Sequence, residues 1–282
     1  MTKSLVLRAW SLVRSWSVVL GATAAMLFAG GVGLSEALTS CETKPILHGP
    51  VRDIVVTVGR QERATGALVG RPDLLEELHF QADGRRWMIV RSGSVETCDQ
   101  DDSGRLLHSA LRSAQGQEFF AHDFTYDKQG RLLKATGTST NPQLVFVKEF
   151  KYGPDWRSER TVRQDQSILV TMFLDARGRV SKRVERDESR GVDLSTSETR
   201  YFADGDEYCS SPTGHEPFCI RTRLDEHGNR IESVTTAAGV QQPPFTERYE
   251  YDARGNWLAR FGATSREPAL ESFERRAISY RD

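Results

Sequence analysis

The sequence predicts an all-β fold: an antiparallel meander of repeated hairpins, curved or closed part-way into a barrel. Three observations carry that expectation. An aspartate and a glycine recur at fixed spacing along most of the chain, apolar and polar residues alternate on either side of each recurrence, and helical periodicity is scarce beyond the N-terminus.

The recurrence comes first. Asp101 and Gly104, Asp127 and Gly130, Asp175 and Gly178, Asp225 and Gly228, and Asp252 and Gly255 each stand three apart, and Arg or Asn follows each glycine. An aspartate at the first turn position accepts hydrogen bonds from amides ahead of it, and the glycine takes a positive φ that other residues resist. Each pair therefore specifies a type I turn closed by a glycine bulge. Worn copies occupy FQADGRRW at 80–87, KYGPDWRS at 151–158 and RYFADGDE at 200–207, so the unit returns about every 20–27 residues. That is the length of one supersecondary element.

The flanks supply the strands. Phe124 with Tyr126, Phe150 with Tyr152 and Tyr249 with Tyr251 share a face, while Arg248 and Glu250 point to the other. Leu132, Val180, Ile231 and Trp257 open the return strands. A sheet of more than about ten strands seldom stays flat, hence the trough or partial barrel. VRDIVVT at 51–57 adds an early strand, and RPDLLEEL at 71–78 reads either as a short helix or as the approach to the first hairpin. The chain divides into residues 1–40 as signal peptide or membrane anchor, 41–74 as a lead-in segment with one strand, and 75–282 as the repeat sheet.

The string Tyr-Asp-x-x-Gly-Arg/Asn-Leu/Trp, clearest in ERYEYDARGNWLAR at 247–260, resembles the YD repeats of the Rhs family, and the terminal ERRAISYRD resembles the closing strand of small exported bacterial proteins of that kind. The resemblance covers roughly residues 75–282. It implies a wide sheet of YD hairpins. In large Rhs proteins such sheets form a shell around a toxin. This chain has too few repeats for a shell and lacks the core-cleavage and toxin region, so encapsulation is not carried over.

Lys3, Arg8 and Arg14 precede an uncharged, apolar run from Ser15 to Ser35, the order of an export signal. Three endings compete: signal-peptidase cleavage at Ser35-Glu36-Ala37, a lipobox-like Leu38-Thr39-Ser40-Cys41 with Cys41 lipidated, or a retained anchor. All three deliver the remainder out of the cytoplasm, to the periplasm or a membrane-anchored position facing it. There Cys209 and Cys219 can close a short loop as a disulfide, and Cys41 and Cys98 either pair or, with Cys41 lipidated, leave Cys98 free.

Composition excludes more than it assigns. With 38 basic and 39 acidic side chains there is no concentrated positive surface for nucleic acid. No P-loop, G-x-G-x-x-G, H-E-x-x-H or G-x-S-x-G string occurs, so neither a cofactor nor a catalytic centre is expected. DQDDSG at 99–104 imitates a calcium loop, but Ala110 stands where a bidentate Glu is wanted, so the glycine turn is the better reading and no metal is assigned. Trp87, Trp156 and Trp257 follow turns and either fill the core or form a glycan-stacking platform. The functional expectation is a non-catalytic envelope protein that binds a protein partner. A periplasmic immunity or inhibitor protein against a toxin and a carbohydrate-binding module are the alternatives. Membrane contact is limited to the N-terminal segment or a lipid.

Overall fold

The computed structural model describes residue 41, residues 47–264 and residues 269–281. The expected signal or anchor segment lies outside the described residues. Nineteen strand segments follow one another. They begin with β1 (Val51–Glu62), β2 (Asp73–Phe80), β3 (Arg86–Arg91), β4 (Ser94–Gln100) and β5 (Leu106–Ser113). Next come β6 (Glu118–Tyr126), β7 (Leu132–Ser139), β8 (Phe146–Tyr152), β9 (Trp156–Arg163) and β10 (Gln166–Leu174). The chain continues through β11 (Val180–Asp187), β12 (Val192–Phe202), β13 (Gly205–Pro212), β14 (Phe218–Leu224) and β15 (Arg230–Ala237). It ends with β16 (Val240–Gln241), β17 (Phe245–Tyr251), β18 (Trp257–Thr264) and β19 (Leu270–Tyr280).

Each strand pairs antiparallel with its sequence neighbour, and β1 pairs on one edge with β2 and on the other with β19. The meander thus closes on itself. β16 and β17 share one edge of β15, because Pro243 and Pro244 interrupt a single ladder, so 18 strand positions make the ring. The all-β antiparallel meander expected from the sequence is thus present, and its curvature goes as far as a closed barrel. The early strand expected at 51–57 is β1, and it closes the ring by pairing with β19 from Val51 opposite Tyr280 to Glu62 opposite Leu270, with one register shift between Val51 and Asp53. Among the described residues every strand except the short β16 thereby has a partner on both sides. Of RPDLLEEL, residues 73–78 belong to β2, the approach to the first hairpin, rather than to a helix.

Connections in an antiparallel ring alternate between its two ends. All five strong turns and all three worn copies follow β2, β4, β6, β8, β10, β12, β14 or β17, so they lie on one rim. The period of the sequence is the length of two strands and two turns.

The tyrosines mark one face of the sheet. In mid-strand the side chains sharing that face, such as Trp87, Ile89, Phe124, Val170, Ser197 and Glu247, are buried or half-buried. The opposite face exposes Lys134, Glu149, Lys182, Glu198, Arg200 and Arg248. The tyrosine face is therefore the inner wall. A round ring of this strand number is wider than wall side chains can fill. Its larger apolar cluster accordingly forms a patch on the wall of β1–β7, where Ile54, Val56, Leu78, Trp87, Ile89 and Cys98 pack with Cys41 and Leu47. A smaller one, Ala259, Phe261 and Phe273, lies on the Arg248 face of β18 and β19 under the Arg248 and Arg275 guanidinium groups.

Candidate functional site

Each strong turn is built as its sequence requires. In the turn at 101–105 the Asp101 amide donates to the Arg105 carbonyl at 2.9 Å, and the Gly104 amide donates to the Asp101 carbonyl at 2.9 Å. Asp101 Oδ1 accepts from the amides of Ser103 and Arg105, while Oδ2 accepts from Arg105 Nε at 2.6 Å. The Arg105 side chain, and then the turn amides, hold the Asp101 carboxyl below its ordinary value. Donors from the turn itself occupy both of its oxygens, and Asp99 lies against Arg86, so DQDDSG serves a hairpin. Gly104, Gly130, Gly178, Gly228 and Gly255 all have φ between 75° and 85°... the left-handed values the turn demands, with Gly178 at 75° and Gly255 at 85°.

Two features exceed the motif. The first is a bulge in every strong copy, where the return strand carries one extra residue: the register shifts at Gln100, Tyr126, Leu174, Leu224 and Tyr251. After Arg131, Leu132 points inward, whereas Leu133 and Lys134 both point outward. The second is that each tyrosine closes the turn of the preceding repeat. Tyr126 donates its hydroxyl to the Leu106 carbonyl at 2.7 Å, Tyr152 to Leu132 at 2.9 Å and Tyr201 to Val180 at 3.0 Å. The guanidinium groups of Arg105, Arg131 and Arg179 lie over those same rings at 5.3, 4.9 and 4.0 Å.

Where Asn replaces Arg, polar contact replaces stacking. Asn229 Nδ2 donates to the Tyr251 hydroxyl at 2.6 Å, and that hydroxyl donates to Asp225 Oδ2 at 2.5 Å. Burial and then Asp225 push the Tyr251 hydroxyl above its ordinary pKa. Burial alone would raise Asp225, but the Tyr251 hydroxyl and the amides of Asn229 and His227 outweigh it and lower it. Tyr280 repeats the arrangement on Asp252 and Asn256, and Asn256 also holds His48 through its carbonyl at 2.9 Å. Arg281 reaches the carbonyl of Phe80, tying the last strand to the first worn turn. Tyrosines thus cap all five strong turns of the rim, and their role there is structural.

The inner wall is polar across the closing seam. Glu247 accepts from Arg230 at 2.6 Å and faces Arg260 at 3.8 Å, and Arg260 pairs with Glu274 at 2.7 Å. Glu274 also meets Arg276 at 3.6 Å, and on β3 Arg91 bridges Glu76 and Glu96. The side chains of Glu247 and Glu76 are 3% exposed, so their neutralisation by arginine is a condition of their burial. His122 lies on the same wall among Phe120, Phe124 and Phe146, where burial, assisted by Lys148, pushes its pKa down to about 4. Such a wall binds its own charges to one another. Among the described residues no group of three or more His, Cys, Asp or Glu side chains could hold a metal.

The cysteines form two disulfides. Cys209 and Cys219 face each other across β13 and β14, and Cys41 is bonded to Cys98. The sulfur of Cys41 is engaged by Cys98, which is the pairing alternative rather than the lipidated one.

The tryptophans do not share a face. Trp87 is fully buried on the inner wall, and Trp257 lies there under the Arg276 guanidinium, 3.2 Å from the ring centre. Trp156 points outward. With Phe173 directly opposite it on β10, it lines a depression of about 480 Å³ on the outer wall of β8, β9 and β10. Glu149, Lys151, Arg160 and Thr171 complete the lining that matters here. Sequence reasoning grouped the three tryptophans because each follows a turn. The signal that separates them is the place in the ladder: Trp87 stands opposite Phe80 and Trp257 opposite Tyr251, on the tyrosine face, whereas Trp156 precedes Arg157, the partner of Tyr152, and so falls on the other face.

No family model matches the chain, and no curated protein matches it in sequence. Among solved structures it is similar to a porin-like protein from Bacteroides uniformis, with a TM-score of 0.46 and 8% identity over 83% of this chain and 99% of that one. It is similar to a Photorhabdus luminescens Tc holotoxin pore, with a TM-score of 0.22 and 11% identity over 86% of this chain and 16% of that one. A LolA superfamily protein from Nitrosomonas europaea matches at a TM-score of 0.22 and 8% identity, over 84% of this chain and 88% of that one.

Proposed function

We propose that this chain is an exported, non-catalytic binding protein of the cell envelope, a closed barrel of YD-type hairpins that holds a protein partner against its outer wall. One observation carries the reading. The repeat bulges and rim positions leave Leu107, Leu133 and Phe202 pointing outward on rigid hairpins, 43%, 42% and 45% exposed. Apolar side chains held out on a rigid frame lose little conformational freedom on binding, which favours them as contacts.

Other features support it. Two disulfides fit an oxidising compartment. The outer wall carries Glu149, Lys151, Lys182, Glu198 and Arg200 along its strands, whereas a lipid-facing band loses about 2–4 kcal/mol for a Lys or Arg at the bilayer midplane. The barrel wall therefore suits water, and membrane contact falls to the N-terminal segment. The inner ion pairs satisfy one another, leaving the outer surface for recognition.

The test is a pull-down from envelope extract with the wild-type chain and with a Leu107→Asp, Leu133→Asp, Phe202→Asp triple variant. A partner retained by the wild type and lost from the folded variant supports the proposal. Retention of the same proteins by both, or of none by either, overturns it. A secreted toxin as the retained partner would identify the inhibitor form of this function.

A further inference from the structure

We propose that the outer depression around Trp156 is a carbohydrate-binding site for an uncharged oligosaccharide. The inference rests on the reading of the barrel as a binding frame and names a second class of ligand for it, at a different place on the wall.

Trp156 is set apart from the other described tryptophans. Trp87 and Trp257 are consumed by the inner wall, whereas Trp156 stands on the outer one with no cation or ring stacked on it among the described contacts. Its position is held without a ligand. The indole lies against Gly153 of the preceding turn, where an added Cβ would meet Nε1, Cε2 and Cδ1 within 2.6 Å. The glycine gives the ring its seat. Phe173, at the directly paired position of the next strand and 41% exposed, extends the aromatic surface. Both rings stand on sheet rather than loop, so little ordering is left for binding to impose.

The chemistry of the lining narrows the ligand. The volume of about 480 Å³ falls within the range of small-molecule sites, and the depression is open along one side. Glu149 offers a carboxylate, Lys151 a cationic donor and Thr171 a hydroxyl that donates and accepts, while Arg160 is held through Nε by Glu188 at 2.6 Å and keeps its terminal N–H groups as donors. A phosphate would confront Glu149 and Glu188, and a cation would confront Lys151 and Arg160. A wholly apolar ligand would cover charged groups without satisfying them. An added peptide strand has no free ladder to join here, because β8, β9 and β10 are each paired on both sides. A sugar meets every condition: its C–H face packs on an aromatic ring, and its hydroxyls both donate to the carboxylate and accept from the cations.

The experiment uses the full chain with both disulfides intact. Linear oligomers of glucose and of N-acetylglucosamine are screened on an array, and binding oligomers are titrated calorimetrically. Binding by at least one series is expected, weakened about tenfold or more in Trp156→Ala and less in Trp156→Phe, which keeps a ring. Phe173→Ala and Lys151→Ala provide the same reading should Trp156→Ala fail to fold. Absence of binding by both series, or equal binding by wild type and all folded variants, overturns the site. If sugars fail while the wild type still captures a partner that the triple variant loses, this inference alone falls. If both fail, the binding-frame reading falls with it.

Discussion

Removing a single hydroxyl should separate the two kinds of tyrosine cap. In Tyr126→Phe the lost interaction is a hydrogen bond between neutral groups, from the hydroxyl to the Leu106 carbonyl, and Arg105 still covers the ring. Such a bond contributes about 1 kcal/mol. In Tyr251→Phe the lost hydroxyl donates to a carboxylate, Asp225, and accepts from Asn229. Bonds to charged groups contribute about 1.5–3 kcal/mol, and the partial exposure of this site places the loss near 2. Urea unfolding with intact disulfides reads the difference. Tyr251→Phe should lose about twice the stability of Tyr126→Phe, with a melting shift of roughly 2–3 °C per kcal/mol in a chain of this size. The excess should also depend on pH. Asp225 is lowered in the folded chain, so its contribution is complete above the ordinary carboxylate pKa and disappears as pH falls through the folded value. The gap between the two variants should accordingly close in acid. Equal losses at neutral pH, or a gap that persists below pH ~2, would refute the assignment of Asn-type caps to carboxylate bonding.

Three further outcomes are expected. Gly178→Ala, at φ 75° with open space around it, should lose about 1 kcal/mol by urea titration, whereas Gly205→Ala should lose several-fold more, because its Cβ would lie 1.9 Å from the Thr222 carbonyl oxygen of the paired strand. His122 binds its proton less readily folded than unfolded, so stability is complete above about pH 6.5 and falls toward pH 4 by about 3 kcal/mol; in His122→Leu the matching part of that slope, read from urea midpoints, should vanish. Replacing both members of a disulfide with Ala should cost roughly 4 kcal/mol for Cys41–Cys98, which spans 57 residues, and roughly 2.5–3 for Cys209–Cys219, which spans 10, as the chain-entropy account of loop closure requires. A larger loss at the shorter loop in chemical denaturation would contradict that account.

Much of the rim was legible because its causes are local. Asp127, Gly130 and Arg131 lie within one turn, and their hydrogen bonds do not depend on distant residues. The worn copies were legible as turns but not for their main service. Tyr152 and Tyr201 retain the capping tyrosine where the Asp-x-x-Gly turn itself has drifted, and the terminal Tyr280 does the same for the last repeat. A tyrosine about one repeat beyond each turn was the available signal, and it gains meaning only once the neighbouring hairpins lie side by side. The candidate site was less legible. Trp87, Trp156 and Trp257 stand at similar places in the sequence, yet a one-residue difference in pairing register decides which wall each joins: Trp87 and Trp257 lie opposite Phe80 and Tyr251, while Arg157, not Trp156, lies opposite Tyr152.

By itself, the sequence determined the hairpin, its period and the oxidised cysteines' opportunity to pair, because turn chemistry and strand alternation act between residues a few positions apart. Only the tertiary structure decided that the meander closes, since the ladder between β1 and β19 joins segments more than two hundred residues apart and no local pattern encodes it. Closure then assigned an inside and an outside, drew the arginines and glutamates of the seam into pairs, and left Trp156 facing outward. Those outcomes follow from which strands become neighbours, a property of the whole ring.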